Sequence, residues 1–408
     1  MTSCLAILLG ALLLTLSTDA ASAAEQPPKL DAKAWVLIDA RTGEVLAEEG
    51  PDERLGMAST TKMMTAYLAL KKLPLSKKVP AADYAATPAE SLMGLKARQK
   101  ISVRDLLYGL IMLSGNDAAV TIAEAVSGSE KRFVRLMNRT AGQLGLEDTS
   151  YENSIGLDGR NHYSSAADLA RLGQVLMEMP RFRPIASSRT ATLKSYSPPI
   201  EIETLNDFVL NNKWAKGIKT GHTVSAGYVL VSDGRRRATE LIGAVVAAPT
   251  ELQRDSESVK LLDYGFSLYT KQVPVRPGRA VVRIPVRYED EDLALTTGTS
   301  VRIGVQEGER LRVESDVPAE VEGPVSQGEK LGSATVTVDG ERIQMVSLFA
   351  SRDIAEPTLL DRLTGNIIYL VIALILVMFA ILGLLAVVRH RHQSRMRRKL
   401  RRVTRSRR

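Results

Sequence analysis

The stretch from Ile367 to Val388, IIYLVIALILVMFAILGLLAVV, is 22 residues without a charge. At about 1.5 Å of rise per residue it makes roughly 33 Å of helix, enough to cross a hydrocarbon core of about 30 Å. A soluble core offers no good place for so long and so uniformly apolar a run. Residues 389–408 then carry 11 Lys or Arg and no acid, which the positive-inside rule places in the cytoplasm. The other end agrees with this topology. An apolar run from Leu5 to Leu16, followed by Ala21-Ser22-Ala23, reads as a signal peptide with a small-residue cleavage site. No Lys or Arg precedes it, and a buried N-terminal helix is the competing reading. Together the ends predict an exported body, one C-terminal span and a basic cytoplasmic tail.

That topology reassigns the charge. The formal net charge is +8; taking away the tail's +11 and the leader's −1 at Asp19 leaves −2 on the body. The basic balance belongs to the tail, where contact with anionic lipid headgroups is expected in preference to nucleic-acid binding. Cys4 is the only cysteine and lies in the leader. A mature chain without cysteine has neither disulfides nor a thiol nucleophile.

Residues 24–32 read as a linker. AWVLIDARTGEVLAEEG then gives two short β-type runs around the turn Arg41-Thr42-Gly43. From Thr60 to about Met179 the chain reads as mostly helical, and Pro180 ends the last periodic segment. After Pro198 come three β-type runs: GIKTGH, GYVLVSDG and TELIGAVVAA. Two strands before the helices and three after them are most economically one five-stranded sheet with the helices packed on it, an α+β arrangement. ESVKLLDYGFSLYTK closes it as a helix. From about Pro274, alternating runs separated by turn clusters predict a small all-β domain. The expected division is a leader over 1–23, a main domain over 24–270, a small β-rich domain over 271–355, a transmembrane helix over 366–388 and a tail over 389–408.

Ser59 and Lys62 stand three residues apart in MASTTKMMTAYLALKK. On a helix they share a face, about 5–6 Å apart at Cβ. Apolar neighbours such as Met63, Met64 and Leu68 desolvate the lysine, which lowers its pKa and frees the amine to act as a base. Alone, the pair is more simply a Ser N-cap beside a solvated Lys. Two further elements shift that balance. Ser114-Gly115-Asn116 falls where one helix stops and the next begins, although a turn with an N-cap explains it equally. Lys219-Thr220-Gly221 opens the first late strand, where the plain alternative is an edge-strand charge. S-x-x-K and K-T-G each occur once in the chain.

With these three elements, and with VLIDARTGEVL, ISVRDLLYGLIMLSGNDAAVTIAEAVSGS, FVRLMNRTAGQLGL, NHYSSAADLARL, GIKTGHTVSAGYVLV and ESVKLLDYGF, the chain resembles the serine-type D-alanyl-D-alanine carboxypeptidases over about residues 32–350. These are low-molecular-mass penicillin-binding proteins. The resemblance implies an antiparallel five-stranded sheet flanked by helices, a bacterial cell-membrane location with the catalytic domain outside, and no cofactor or metal. It implies that Ser59 is acylated, that Lys62 takes its proton, and that Ser114 with Lys219 passes a proton to the leaving amine. Asn116 would hold the substrate amide. Within Lys219-Thr220-Gly221, Thr220 would contact the terminal carboxylate and Lys219 would make the pocket positive. The backbone N–H groups of Ser59 and His222 would form the oxyanion hole, and Arg254 would help with the carboxylate. The implied partners are a peptidoglycan stem peptide ending in D-Ala-D-Ala, β-lactams and the membrane.

The segment NDFVLNNKWAKGIKTG follows the family's lead-in poorly, and a full span replaces the amphipathic anchor of many relatives. Two alternatives stand beside the carboxypeptidase. Against a β-lactamase-like hydrolase are S-G-N in place of S-D-N and the lack of E-x-x-L-N. Against a membrane-anchored β-lactam sensor is the lack of a recognisable signalling domain after the span. His162 and His222 are the only histidines of the body, and a lysine base makes a histidine triad unnecessary. No cluster has metal-ligand spacing, no Gly-rich phosphate loop follows a strand, and no basic–aromatic interleaving points to nucleic acid.

Overall fold

The structure, a computed structural model, describes residues 26–87, 90–237 and 239–405. The leader expected over 1–23 lies outside the described residues. The chain divides into two units, up to Thr270 and from Lys271 onward.

In the first unit, β1 (Ala34–Asp39) and β2 (Val45–Glu49) form a hairpin, and a 3-10 turn (Ala58–Thr61) leads into α1 (Lys62–Lys72). A ribbon of β3 (Lys78–Pro80) and β4 (Lys100–Ser102) precedes α2 (Val103–Met112), α3 (Asn116–Ser127), α4 (Glu130–Leu144), α5 (Ala166–Met177) and α6 (Arg183–Ser187). A second ribbon, β5 (Thr190–Leu193) with β6 (Ile200–Glu203), and the short α7 (Asp207–Asn211) lead to β7 (Ala215–Thr223), β8 (Gly227–Arg236), β9 (Thr239–Ala248) and α8 (Glu251–Ser267).

The main sheet runs β2-β1-β9-β8-β7, antiparallel throughout. It is the five-stranded sheet expected from the two ends of the domain. Its inner strands are apolar on both faces because both faces are covered. Val36 and Ile38 of β1 join the core under α1–α5, while Trp35 and Leu37 join the one under α8. Each such side chain contributes roughly 1.5–3 kcal/mol on burial. α2, α5 and α8 begin at Ser102, Ser165 and Thr250, whose hydroxyls accept the N–H three residues on.

The helical run expected from Thr60 to Met179 is interrupted twice. Residues 73–87 and 90–102 form loop and the β3–β4 ribbon, since Pro74 and Pro80 cannot continue a helix. After α4, Gly145 takes a left-handed C-cap (φ 71°), and the chain stays irregular up to Ser165.

β10 (Tyr269–Val275) crosses the boundary, and the second unit holds the rest of it with β11 (Ala280–Ile284), β12 (Leu293–Thr296), β13 (Val301–Gln306), β14 (Leu311–Asp316), β15 (Lys330–Val338), β16 (Glu341–Ala350) and α9 (Leu359–Arg405). A five-stranded sheet, β11-β12-β16-β15-β14, accompanies a β10–β13 pair. Ala334 and Val336 on β15 and Val346 and Leu348 on β16 alternate into one core. β10 takes Tyr269, Thr270 and Lys271 from the closing helix expected over 257–271; Tyr and Thr are good strand residues. Along α9 the apolar side chains from Val371 to Val388 are exposed, and Val371–Arg395 is long and apolar enough to cross a membrane. Such a helix satisfies its own backbone and suits a bilayer.

Candidate active site

Ser59 sits in the 3-10 turn and Lys62 opens α1. Neither the turn nor α1 starts with a side-chain cap, which removes the simpler reading of Ser59 as an N-cap. Lys62 Nζ donates to Ser59 Oγ at 2.8 Å and to the Ile155 carbonyl at 2.6 Å. Lys62 is 0 % exposed. The cause is α1 itself, which buries Met63, Met64, Ala66, Leu68, Ala69 and Leu70 and so has almost no wet face. A lysine in its first turn has no route by which to snorkel to water. Burial, and then the charge of Lys219, push Lys62 well below the usual lysine range, while Glu90 and Asp117 pull the other way.

Ser114 occupies the break between α2 and α3 in the left-handed region (φ 58°), a conformation costing about 1 kcal/mol or more for a non-glycine and concentrated at functional sites. Gly115 N–H donates to Gly109 O at 3.0 Å, closing the turn. Asn116 begins α3, nearly buried, with Nδ2 donating to Glu90 at 2.7 Å. Asp117 accepts from Met93 N–H and Leu95 N–H, both at 2.9 Å, and so pins the preceding loop to α3.

Lys219-Thr220-Gly221 lies in the middle of β7, not at its start, because β7 already begins at Ala215. β7 is an edge strand, yet Lys219 is only 2 % exposed and donates to Thr220 O at 2.8 Å. Burial and then the Arg254 charge lower it to about 7. The β7 main chain passes tight against the nucleophile turn: a Cβ on Gly221 would come 2.9 Å from Ser59 N. On another side, Gly156 (φ 99°) comes so close that a Cβ would meet Ala58 O at 2.0 Å. His222 stacks on Tyr228 at 4.0 Å between centroids, and the Arg254 guanidinium stands 6.0 Å from the same ring. Arg254 is buried in the first turn of α8, donating to Asp255 at 2.8 Å and Glu251 at 3.1 Å. Lys62, bonded to Ser59, is thus coupled by charge to Lys219 and to Glu90 and Asp117 beside the middle motif, and Lys219 in turn to Arg254.

A family model described as D-alanyl-D-alanine carboxypeptidase (peptidase S11) matches residues 20–250, more than half of the chain. The chain belongs to the D-alanyl-D-alanine carboxypeptidase family. A second model, the C-terminal domain of penicillin-binding protein 5, matches residues 269–356. Among relatives of this family, D-alanyl-D-alanine carboxypeptidase DacC of Escherichia coli (strain K12) is 33% identical over 366 residues, covering 85% of this chain and 91% of the relative. DacF of Bacillus subtilis (strain 168) is 32% identical over 356 residues, covering 82% and 90%. The crystal structure of penicillin-binding protein 5 from Haemophilus influenzae is similar at a TM-score of 0.57 and 31% identity, over 81% of this chain and all of that one.

Several groups in this family site were not legible beforehand. The Ile155 carbonyl that holds Lys62 belongs to a turn organised by Asn153, whose Oδ1 accepts from Ile155, Gly156 and Leu157 N–H at 3.1, 2.6 and 3.2 Å. Asn followed closely by Gly was the available turn signal. His162 braces the nucleophile turn. Its Nδ1 accepts from Glu152 N–H at 3.0 Å, which leaves the proton on Nε2, 2.8 Å from Thr61 Oγ1. Burial lowers it to about 4 and keeps it neutral. Among the described residues no group of His, Cys, Asp or Glu is arranged to hold a metal.

Proposed function

We propose that this chain removes the terminal D-alanine from peptidoglycan stem pentapeptides through an acyl-enzyme on Ser59. The observation that carries this is the 2.8 Å contact between Ser59 Oγ and a fully buried Lys62 whose pKa burial depresses. Neutral Lys62 takes the Ser59 proton as Oγ attacks the carbonyl carbon of the penultimate D-alanine. The Ser59 and His222 N–H groups hold the oxyanion. The C–N bond breaks, Ser114 and Lys219 help deliver a proton to the nitrogen, and D-alanine leaves. Water then hydrolyses the ester, releasing the shortened peptide. Thr220, with the charges of Lys219 and Arg254, receives the terminal carboxylate, and Asn116 the substrate amide. Support for this pose comes from β7, an edge strand along which an extended peptide can lie. β-Lactams acylate the same serine.

The test is mass spectrometry of the protein treated with penicillin, alongside D-alanine release from a diacyl-D-Ala-D-Ala peptide. The expected result is an adduct on the Ser59 peptide, lost in Ser59→Ala, together with steady release. An adduct elsewhere refutes the nucleophile. A stable adduct without release refutes the enzyme and supports a sensor.

The exposed apolar stretch of α9, with the basic residues from Arg389 onward after it, supports a single-pass anchor with the body outside the cell and the basic end in the cytoplasm. Protease added to intact cells is expected to digest the body and spare a tag fused after Arg408. Loss of the tag with a protected body would reverse the orientation.

A further inference from the structure

One carboxylate beside the middle motif has no part in the mechanism above. Glu90 precedes Ser91, whose carbonyl accepts the Asn116 N–H at 2.8 Å. Glu90 Oε2 accepts from Asn116 Nδ2 at 2.7 Å and, in a close contact, from the Tyr84 hydroxyl. Oε1 accepts from Thr87 N–H and Thr87 Oγ1, both at 3.0 Å. A carboxylate offers about four acceptor sites, and four donors occupy them. Little capacity is left for a cationic group of a substrate, so this carboxylate acts on the protein.

Its effect on Asn116 follows from hydrogen-bond chemistry. A carboxamide can be flipped about its terminal bond with almost no change in shape, so only its partners decide which way it points. An ionised carboxylate accepts and never donates, so the face turned to Glu90 must be the NH2. Burial alone would raise the Glu90 carboxyl, but hydrogen bonds from Tyr84, Asn116 and Thr87 outweigh it and hold it down at about 2. The carboxylate is therefore ionised at any pH where the enzyme would operate.

We propose that Glu90 is a positioning residue that locks the Asn116 carboxamide in one orientation, leaving Oδ1 as the acceptor for the substrate amide N–H. This rests on the carboxypeptidase reading and assigns to it a residue outside the three motifs. Glu90 has a second, electrostatic reach. With Asp117 it opposes the lowering of Lys62 by burial and by Lys219. His162, the other titratable group coupled to Lys62, is neutral, and Glu130, bonded to Ser154, acts on Tyr84 by its charge.

The experiment compares Glu90→Gln with the detergent-solubilised wild-type chain in D-alanine release across pH. A wild type that releases no D-alanine overturns the carboxypeptidase reading and this inference together; failure of the inference alone shows only in the variants. Gln can present either oxygen or NH2 to Asn116, so the lock is lost. The expected loss in kcat/KM is about tenfold. The acid limb of the pH profile should also move to lower pH, because Lys62 loses a neighbouring negative charge. In an Asn116→Ala background, Glu90→Gln should cost almost nothing further. Tyr84→Phe, which keeps the charge and loosens its hold, should lose about twofold to threefold with the limb unmoved. Wild-type rates and profile in Glu90→Gln would overturn the proposal, as would an equal loss in the Asn116→Ala background. If Glu90→Gln melts early, unchanged kinetics in a normally melting Tyr84→Phe would overturn it too.

Discussion

Lys62 and Asp233 are both ionisable groups sealed in the first unit, each 0 % exposed, and burial shifts both far toward the neutral form. They differ in company. Lys62 is hydrogen-bonded to the atom it would deprotonate and to a carbonyl that orients it. Asp233, on β8 among buried strand residues, has neither carboxylate oxygen hydrogen-bonded among the described residues. Burial raises it to about 7, although Arg183, Lys216 and Arg235 pull it down. A perturbed pKa is therefore no mark of a site by itself. The mark is a partner that the shifted group can act on.

The sharpest way to break this contrast is to remove the lysine. Lys62→Ala should lower the rate of acylation by penicillin on the order of 10³-fold while leaving the fold intact, read by stopped-flow labelling and thermal melting. Wild-type acylation should fall as pH drops, because Lys62 must be neutral to accept a proton and gains one below its depressed pKa. Retention of near-normal labelling in Lys62→Ala would make Lys62 as idle as Asp233. The smaller effect belongs to Asp233. Its folded pKa lies above the unfolded value, so the folded state binds the extra proton between about pH 4 and 7. Stability from this group therefore falls as pH rises through that window, and the cost is complete above about 7. Asp233→Asn should raise Tm by several degrees at pH 8, with the gain fading toward pH 4 and activity unchanged. A destabilised variant at pH 8 would show that the carboxylate is held by something the contrast omits.

What the sequence made legible was local or periodic. Ser59 and Lys62 are one turn apart, so helix geometry alone brings them together. The strands of the main sheet were readable because β1, β8 and β9 are long apolar runs. The Ile155 carbonyl lies 93 residues from Lys62, and no period in the chain announces such a contact. Glu90 escaped notice for a related reason: it reaches Asn116 from an irregular loop, where neither spacing nor burial pattern carries a signal. The four-residue β12 was too short to read, and the position of Lys219 within β7 depended on pairing with β8, which only the folded sheet defines.

The two glycines that wall the nucleophile turn have a consequence for how this protein can change. Gly156 and Gly221 press main chain, not side chain, against Ala58 and Ser59, and any Cβ at either position would collide with backbone. Single substitutions there cannot widen or reshape the site without displacing Ser59. Variation in substrate preference is thereby pushed outward, to exposed residues such as Leu157, next to Gly156, and Val224, just past the end of β7. An inhibitor that draws its affinity from the inner walls would leave the chain few one-step routes of escape.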